Sequence, residues 1–435
     1  MSSSAPQTLR IMDFALRVGE MLLSNGAGTA DVSATMSSIC HHLGLRGTYV
    51  DVTHIMLTMV HDQELDEPPL LLRRNVQRRE TDFEDVTAVD RLVAELLANE
   101  IDLDEARSRL AAIATSGHAR PRAVVIGSSG LVGAGVALML GGGMFVSLTA
   151  FVAAVAIELL RRPLEVRRLP DFYIQVVGGL CASLIAVSAA ALSLPAPPSL
   201  VIAANIVVLL AGLGLMGAIQ DALTGYHLTA VARLLEVLLA TAGIVAGVSG
   251  GIMVGRMIGV DLGSGTVWPD LSHLPYVTIG AGIAAAGFAV QSYAPWSSVP
   301  AIAVIGAGAG ALASTLVQNG LDRPWGAAMA AFVIGVVSYP ASRWLRVPAL
   351  VMVVPAIVPL LPGLTIYRSL AQLAEENLSG ISSGITATAV AVALAAGVIL
   401  GEYAAQPLGR ETRRLERRLS GPRLVGPFRA KSRRK

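Results

Sequence analysis

Residues 209–213 read Leu-Leu-Ala-Gly-Leu, and residues 360–364 read Leu-Leu-Pro-Gly-Leu, the second element standing 151 positions after the first (209 to 360). Each element interrupts an apolar run with a glycine, joined in the second by Pro359 and Pro362. The runs that hold them, 200–219 and 349–367, are near the length a spanning helix needs. Four more such runs surround the first, at 123–142, 144–160, 172–194 and 228–254; four surround the second, at 275–293, 299–317, 325–341 and 381–402. The matched elements thus fall in the fourth run of each set of five. The first and fifth runs keep nearly the same offset, with starts near 124 and 275 and near 230 and 381, while the second and third drift with their loops. Five is odd, so the second set enters the membrane from the opposite side. In lipid the backbone must satisfy its own polar groups, which requires helices here. The expected fold is an α-helical membrane protein of about ten transmembrane helices, a 5+5 inverted repeat preceded by a small α+β soluble domain.

Composition agrees. Hydrophobic residues make up 53% of the 435 and charged residues 15%, and the mean hydropathy is +0.62. Too little polar surface remains to dissolve the chain. The charge sits in the first 122 residues and the last thirty or so. The expected segments are a cytoplasmic α+β domain (1–122), a first five-helix half (123–255), a second half (256–402) and a basic cytoplasmic tail (403–435).

Within the first segment, Leu9, Met12, Leu16, Met21 and Leu23 recur at helical spacing and stop at Asn25-Gly26-Ala27-Gly28, residues that tolerate a left-handed C-cap. A second helix is expected over 29–43, one or two strands in the β-branched stretch 48–60, and helices with early acidic residues over 81–115. The N-terminus lacks a basic segment followed by an apolar one, so no cleaved signal is expected. Cys40 and Cys181 lie far apart and imply neither a disulfide framework nor a metal site.

Arginine placement orients the spans. With the N-terminus inside, the inner loops carry Arg161, Arg162, Arg167, Arg168, Arg343 and Arg346, and then the basic tail; the outer loops hold Arg256, Arg323 and Arg368. Both termini are therefore expected in the cytoplasm, with the chain multi-pass in the inner (plasma) membrane. The tail reads either as a disordered topology signal or as a segment touching anionic lipid. A net charge of +2 gives no field for nucleic acid.

Polar groups inside apolar runs are costly and mark pathways or pairs. The richest such stretch is Gln220-Asp221-Ala222-Leu223-Thr224, followed by Arg233 and Glu236. Arg233 and Glu236, three apart on one helical face, suit a neutralising pair. Asp221 has no cation at helical spacing nearby and reads either as a proton-linked carboxylate or as an aspartate capping the fifth run. Asn205 and Gln175 read as interhelical glue or ligand contacts, and Glu158 as a partner of Arg161 and Arg162. The paired interruptions at Gly212 and Gly363 point to a binding site or to packing kinks. Tyr367 and Arg368 follow the second one, Arg368 being able to grip a carboxylate in two-pronged fashion or to snorkel. His41, His42, His54, His61 and Asp62 form no catalytic or metal-ligand signature, and no phosphate-binding Gly-Lys loop occurs.

Arg17-Val18-Gly19-Glu20-Met21-Leu22-Leu23-Ser24-Asn25-Gly26-Ala27, with Asp31-Val32 and Val50-Asp51-Val52-Thr53, resembles the N-terminal domain of the threonine/serine exporter family. Asp221-Ala222-Leu223-Thr224-Gly225 through Arg233 and Glu236 is similar to that family's first membrane half. Pro355-x-x-x-Pro359-Leu360-Leu361-Pro362-Gly363-Leu364 with Ile366-Tyr367-Arg368 is similar to its second, although Ala211 stands where proline is expected in the first half. The resemblance implies secondary active export of L-threonine and L-serine driven by the proton motive force, by one fused polypeptide and with no cofactor. Its partners would be a small amino acid, protons and membrane lipid, with a homo-oligomer left open. A membrane-anchored hydrolase and a channel or scaffold subunit are the competing classes.

Overall fold

A computed structural model describes residues 5–63, 68–76, 81–118, 120–209, 212–260, 274–374 and 376–405. The basic tail beyond residue 405 and Leu210-Ala211 of the first matched element lie outside the described residues. The chain divides into two compact units, Met1–Gly117 with Gln220–Ala232, and His118–Ile219 with Arg233–Leu408.

In the first unit, α1 (Ala5–Ser24), α2 (Thr29–His42), α3 (Phe83–Leu97) and α4 (Leu103–Thr115) accompany a three-stranded antiparallel sheet, β1 (Thr48–Val52), β2 (Met56–His61) and β3 (Leu70–Asn75) in that order. Ile11, Phe14, Ala15, Val18 and Leu22 share one helical stripe of α1 and are buried. The helix ends where expected: Gly26 takes φ +96°, and the Ala27 and Gly26 amides donate back to Leu22 (2.9 Å) and Leu23 (3.4 Å). Asp82 caps α3 by accepting from the Glu84 (3.0 Å) and Asp85 (3.1 Å) amides, and Asp102 caps α4 through Glu105 (2.8 Å). Strand β3 is an addition to the one or two strands expected over 48–60. Its sequence, Leu-Leu-Leu-Arg-Arg-Asn, has neither β-branched residues nor clean alternation, and pairing with β2 (Met59 opposite Leu72) overrides that local preference. Gln220–Ala232 belongs to this unit: the buried Thr229 donates from Oγ1 to the Val52 carbonyl at 3.5 Å.

The second unit and the helices that run into it comprise α5 (Arg122–Met139), α6 (Met144–Val166), α7 (Asp171–Ala191), α8 (Pro198–Leu209), α9 (Gly212–Leu223), α10 (His227–Met257), α11 (Leu274–Gln291), α12 (Val299–Gln318), α13 (Arg323–Leu345), α14 (Ala349–Ile357), α15 (Gly363–Ala374) and α16 (Ser379–Ala405). Eight are long and apolar enough to cross a membrane. The pairs α8/α9 and α14/α15 pass only when joined, which makes up to ten spans. The protein is therefore a mostly helical, multi-pass membrane protein with one small sheet. The order three helices, bent pair, helix occurs twice.

Glycines set the closest helix contacts, as expected where lipid leaves association to packing. A Cβ on Gly243 would lie 2.5 Å from the Phe172 carbonyl oxygen, and one on Gly247 would strike that of Val176, which joins α10 to α7. A Cβ on Gly397 would lie 2.5 Å from the Ala328 carbonyl, and one on Gly401 would strike that of Phe332, which joins α16 to α13. Between α5 and α11, Gly135 faces Gly280 and Gly287 faces Ser128. Residue numbers rise along α5 as they fall along α11, so these two helices run antiparallel.

Arg120 closes the end of α11. It donates from Nη1 to Val290 and from Nη2 to Ala294, each at 2.6 Å, and its guanidinium carbon lies 4.4 Å from the Trp296 ring centre. These carbonyls lie where a helix end leaves its backbone acceptors without partners. Arg120→Ala is expected to lower the apparent melting temperature of the purified protein, a loss of about 1.5–3 kcal/mol for a charge-assisted hydrogen bond. Arg120→Lys should recover only part of it, since an ammonium lacks the planar fork. An unchanged melting curve for Arg120→Ala would deny this cap its role.

Candidate functional site

Two bent pairs interrupt the series of spanning helices. The axes of Pro198–Leu209 and Gly214–Leu223 differ by 44°, and those of Ala349–Leu360 and Gly363–Ser369 by 49°. The chemistry of the second bend is legible. After α14 the chain tightens into a 3₁₀ turn, Val358–Leu360, and Leu361 then takes extended angles (φ −62°, ψ 138°) ahead of Pro362, as a residue before proline must. Helix α15 restarts at Gly363, with the Ile366 amide donating to Pro362 at 3.0 Å. The break therefore leaves carbonyls without helical partners on one side and the first-turn amides of α15 on the other.

The broken segments pack crosswise. Ile366 of α15 shares a buried cluster with Ile206 and Leu209 of α8, and Tyr367 packs against the same cluster. Met216 of α9 shares another with Val353, Ala356 and Ile357 of α14. Helices α8 and α15 thus contribute to one cluster, and α9 and α14 to the other.

A cavity of about 200 Å³ opens at the second break. That is below the roughly 300–1,000 Å³ of sites for drug-sized ligands and suits a small metabolite. Val136 and Met139 of α5 and Val277 of α11 make apolar wall. Pro359, Leu361 and Pro362 contribute the break itself, and Leu364, Thr365 and Arg368 the first turns of α15. Ser314 of α12 and Arg323, at the start of α13, complete the polar part. Arg368 is half-buried and Arg323 exposed, so the two guanidinium groups belong to the interior and the mouth.

Of the residues singled out from the sequence, Pro359 and Arg368 line this cavity, Gly363 begins α15 beside it, and Tyr367 turns to the neighbouring apolar cluster. Gly212 begins α9. Asn205 is fully buried on α8; its Nδ2 donates to Val201 at 2.9 Å, while its Oδ1 accepts no hydrogen bond among the described residues. Gln220, Asp221 and Thr224 fall in the first unit. Thr224 donates back to the Gln220 carbonyl at 2.9 Å. Asp221 is 1% exposed and stands inside α9, six residues before α10 starts at His227, which is not an N-cap position for α10. Arg233 is half-buried and Glu236 exposed. A Cβ on Gly217 would lie 2.7 Å from the Arg233 guanidinium, so that glycine leaves the room which the arginine fills. Gly217 precedes Arg368 by 151 residues (217 to 368), the offset of the two Leu-Leu-x-Gly-Leu elements. Glu158, 4% exposed, pairs with Arg161 (3.1 Å) and Arg162 (3.2 Å), as its spacing implies.

Arg323, Ser314 and Thr365 are the polar cavity residues that the sequence did not single out as candidates. Arg323 precedes a proline at the start of an apolar run and reads as an ordinary interfacial arginine; only the fold brings it to Arg368.

In the first unit, no group of three or more His, Cys, Asp or Glu among the described residues could hold a metal ion. Burial pushes the Cys40 thiol up to about 12, far from the thiolate that nucleophilic chemistry requires.

The family model of the threonine/serine exporters matches residues 13–255, and a second, "Threonine/Serine exporter, ThrE", matches residues 277–404. The "Threonine/serine exporter" of Corynebacterium glutamicum is 36% identical over 415 residues, covering 94% of this chain and 85% of its own length. The "Probable threonine/serine exporter" of Mycobacterium tuberculosis is 33% identical over 413 residues, covering 92% of this chain and 77% of its own. No solved structure matches the chain.

Proposed function

Because the chain belongs to the threonine/serine exporter family, we propose that it exports L-threonine and L-serine from the cytoplasm, driven by the proton motive force and working as a 5+5 inverted repeat. Its relatives are named as exporters, not enzymes, and eight to ten helices long and apolar enough to cross a membrane support that reading. The observation that carries the site is the cavity at the second break, where freed backbone groups of both polarities meet a guanidinium. The substrate carboxylate sits at Arg368 and the first-turn amides of α15, and its ammonium at the carbonyls that the break frees.

The glycine contacts support the repeat. Gly179, Gly243 and Gly247 have counterparts in Gly335, Gly397 and Gly401, at separations of 156 (179 to 335), 154 (243 to 397) and 154 (247 to 401) residues, and each meets the corresponding backbone of the partner helix. Helices α5 and α11, first in their halves, run antiparallel; halves related by an axis along the membrane normal would place them parallel. The arginines of the short loops support a topology with both termini in the cytoplasm.

Asp221 carries the coupled proton in this reading, a buried carboxylate in α9 with a change of charge to offer. Reconstituted in proteoliposomes, the protein is expected to accumulate labelled threonine by counterflow, competed by serine. Asp221→Asn should keep that counterflow and lose net efflux driven by a pH gradient. Flux that neither saturates nor accumulates substrate would identify a channel instead. Unchanged pH-driven efflux in Asp221→Asn would take that carboxylate out of the coupling.

A further inference from the structure

The cavity at the second break is one-sided in charge. Arg323 and Arg368 both line it, from α13 and α15, and no described lining residue is acidic. Two helices also begin there, α13 at Arg323 and α15 at Gly363, and a helix start adds partial positive charge to whatever lies before it. Every fixed charge that the lining supplies therefore favours an anion. An ammonium group finds only neutral carbonyls, inside a positive field. Ser314 and Thr365 supply hydroxyls, which suit an uncharged hydroxyl on the ligand.

Resting on the transport reading for where substrate binds, we infer that this cavity recognises small hydroxy-carboxylates as a class: the carboxylate is required, the α-ammonium is dispensable, and Arg323 is the specificity-determining residue at the mouth. Two guanidinium groups on different helices hold one carboxylate, Arg368 from within and Arg323 from the rim, where it also draws anions in. A hydroxy acid without nitrogen then belongs to the same ligand class as threonine, which nothing in the name of the family anticipates.

Three compounds of one skeleton separate the terms. Threonine has both charges, 3-hydroxybutyrate lacks the ammonium, and threoninamide lacks the carboxylate charge. Binding to the full-length purified protein is read by thermal shift, which is independent of transport. We expect 3-hydroxybutyrate to half-saturate within about tenfold of threonine, and threoninamide to need about 10- to 100-fold more, the worth of hydrogen bonds to a charged group. In Arg323→Gln the two carboxylates should weaken about tenfold or more and threoninamide should not, so the preference for a carboxylate narrows; Arg323→Lys, which keeps the charge, should restore part of it. Threoninamide binding as well as threonine, or 3-hydroxybutyrate giving no shift, overturns the inference in the wild-type protein alone, whatever the folding of the variants. The same follows if Arg323→Gln weakens all three compounds equally. Labelled threonine that is bound but never accumulated in vesicles would instead refute the transport reading and leave this one standing.

Discussion

Gly247→Val is expected to yield no folded membrane unit. The first added carbon would fall on the Val176 carbonyl oxygen and crowd the Leu180 amide at 2.8 Å, both backbone atoms of α7. A rotamer change cannot relieve such a clash; the two helices must separate. Overpacking alone costs about 1–3 kcal/mol, and the separation also opens the contacts of Gly243 and Gly251 with the same helix. In a protein of ordinary marginal stability that sum is decisive. Fluorescence-detected size exclusion of a tagged variant should show aggregate in place of a single peak. Gly250→Ala is the control: its added carbon would meet only Leu180 Cδ1 at 3.9 Å, an ordinary contact, and the peak should be unchanged. A monodisperse, active Gly247→Val would show that α7 and α10 are not held together here.

Arg368→Gln is the second large effect, on transport rather than folding. The guanidinium offers a carboxylate two parallel hydrogen bonds with opposite charge, and each hydrogen bond to a charged group is worth about 1.5–3 kcal/mol. Glutamine can still donate one hydrogen bond, so the loss of about one such bond should raise the threonine concentration for half-maximal counterflow about 10- to 100-fold, with the melting curve close to wild type. Arg368→Lys should recover less than half of that loss in free energy, because an ammonium cannot make the fork. Unaltered half-saturation in Arg368→Gln would move the carboxylate site elsewhere.

The spans were largely legible because lipid imposes one strong demand on sequence. Each apolar run from 123 to 402 corresponds to a helix or bent pair whose bounds agree to within seven residues, the largest differences (160 to 166, 367 to 374) falling at C-terminal ends. The second break was legible for a local reason: Pro362 forbids the helix to continue through Leu361. Strand β3 was not, because leucine and arginine carry no preference for it and pairing with β2 decides. Arg323 was not either. A cavity gathers residues by tertiary geometry, and nothing in the 44 positions between Arg323 and Arg368 announces that α13 and α15 open onto one space. The polar stretch from Gln220 to Ala232 gave the opposite difficulty. Its composition placed it beside the spans, and the fold counts it with the N-terminal residues.

At matching places in the proposed repeat the guanidinium comes from different helices: Arg368 grows from α15 itself, whereas Gly217 of α9 makes way for Arg233 of α10. In the proposed transport cycle, a repeat diversified in this way has no reason to weigh its inward-open and outward-open forms alike. When one form is the rarer, apparent affinity measured through it falls in proportion to its population. The same molecule then shows tight binding to substrate offered from one face of the membrane and weak binding from the other, a sidedness set by where two arginines are rooted.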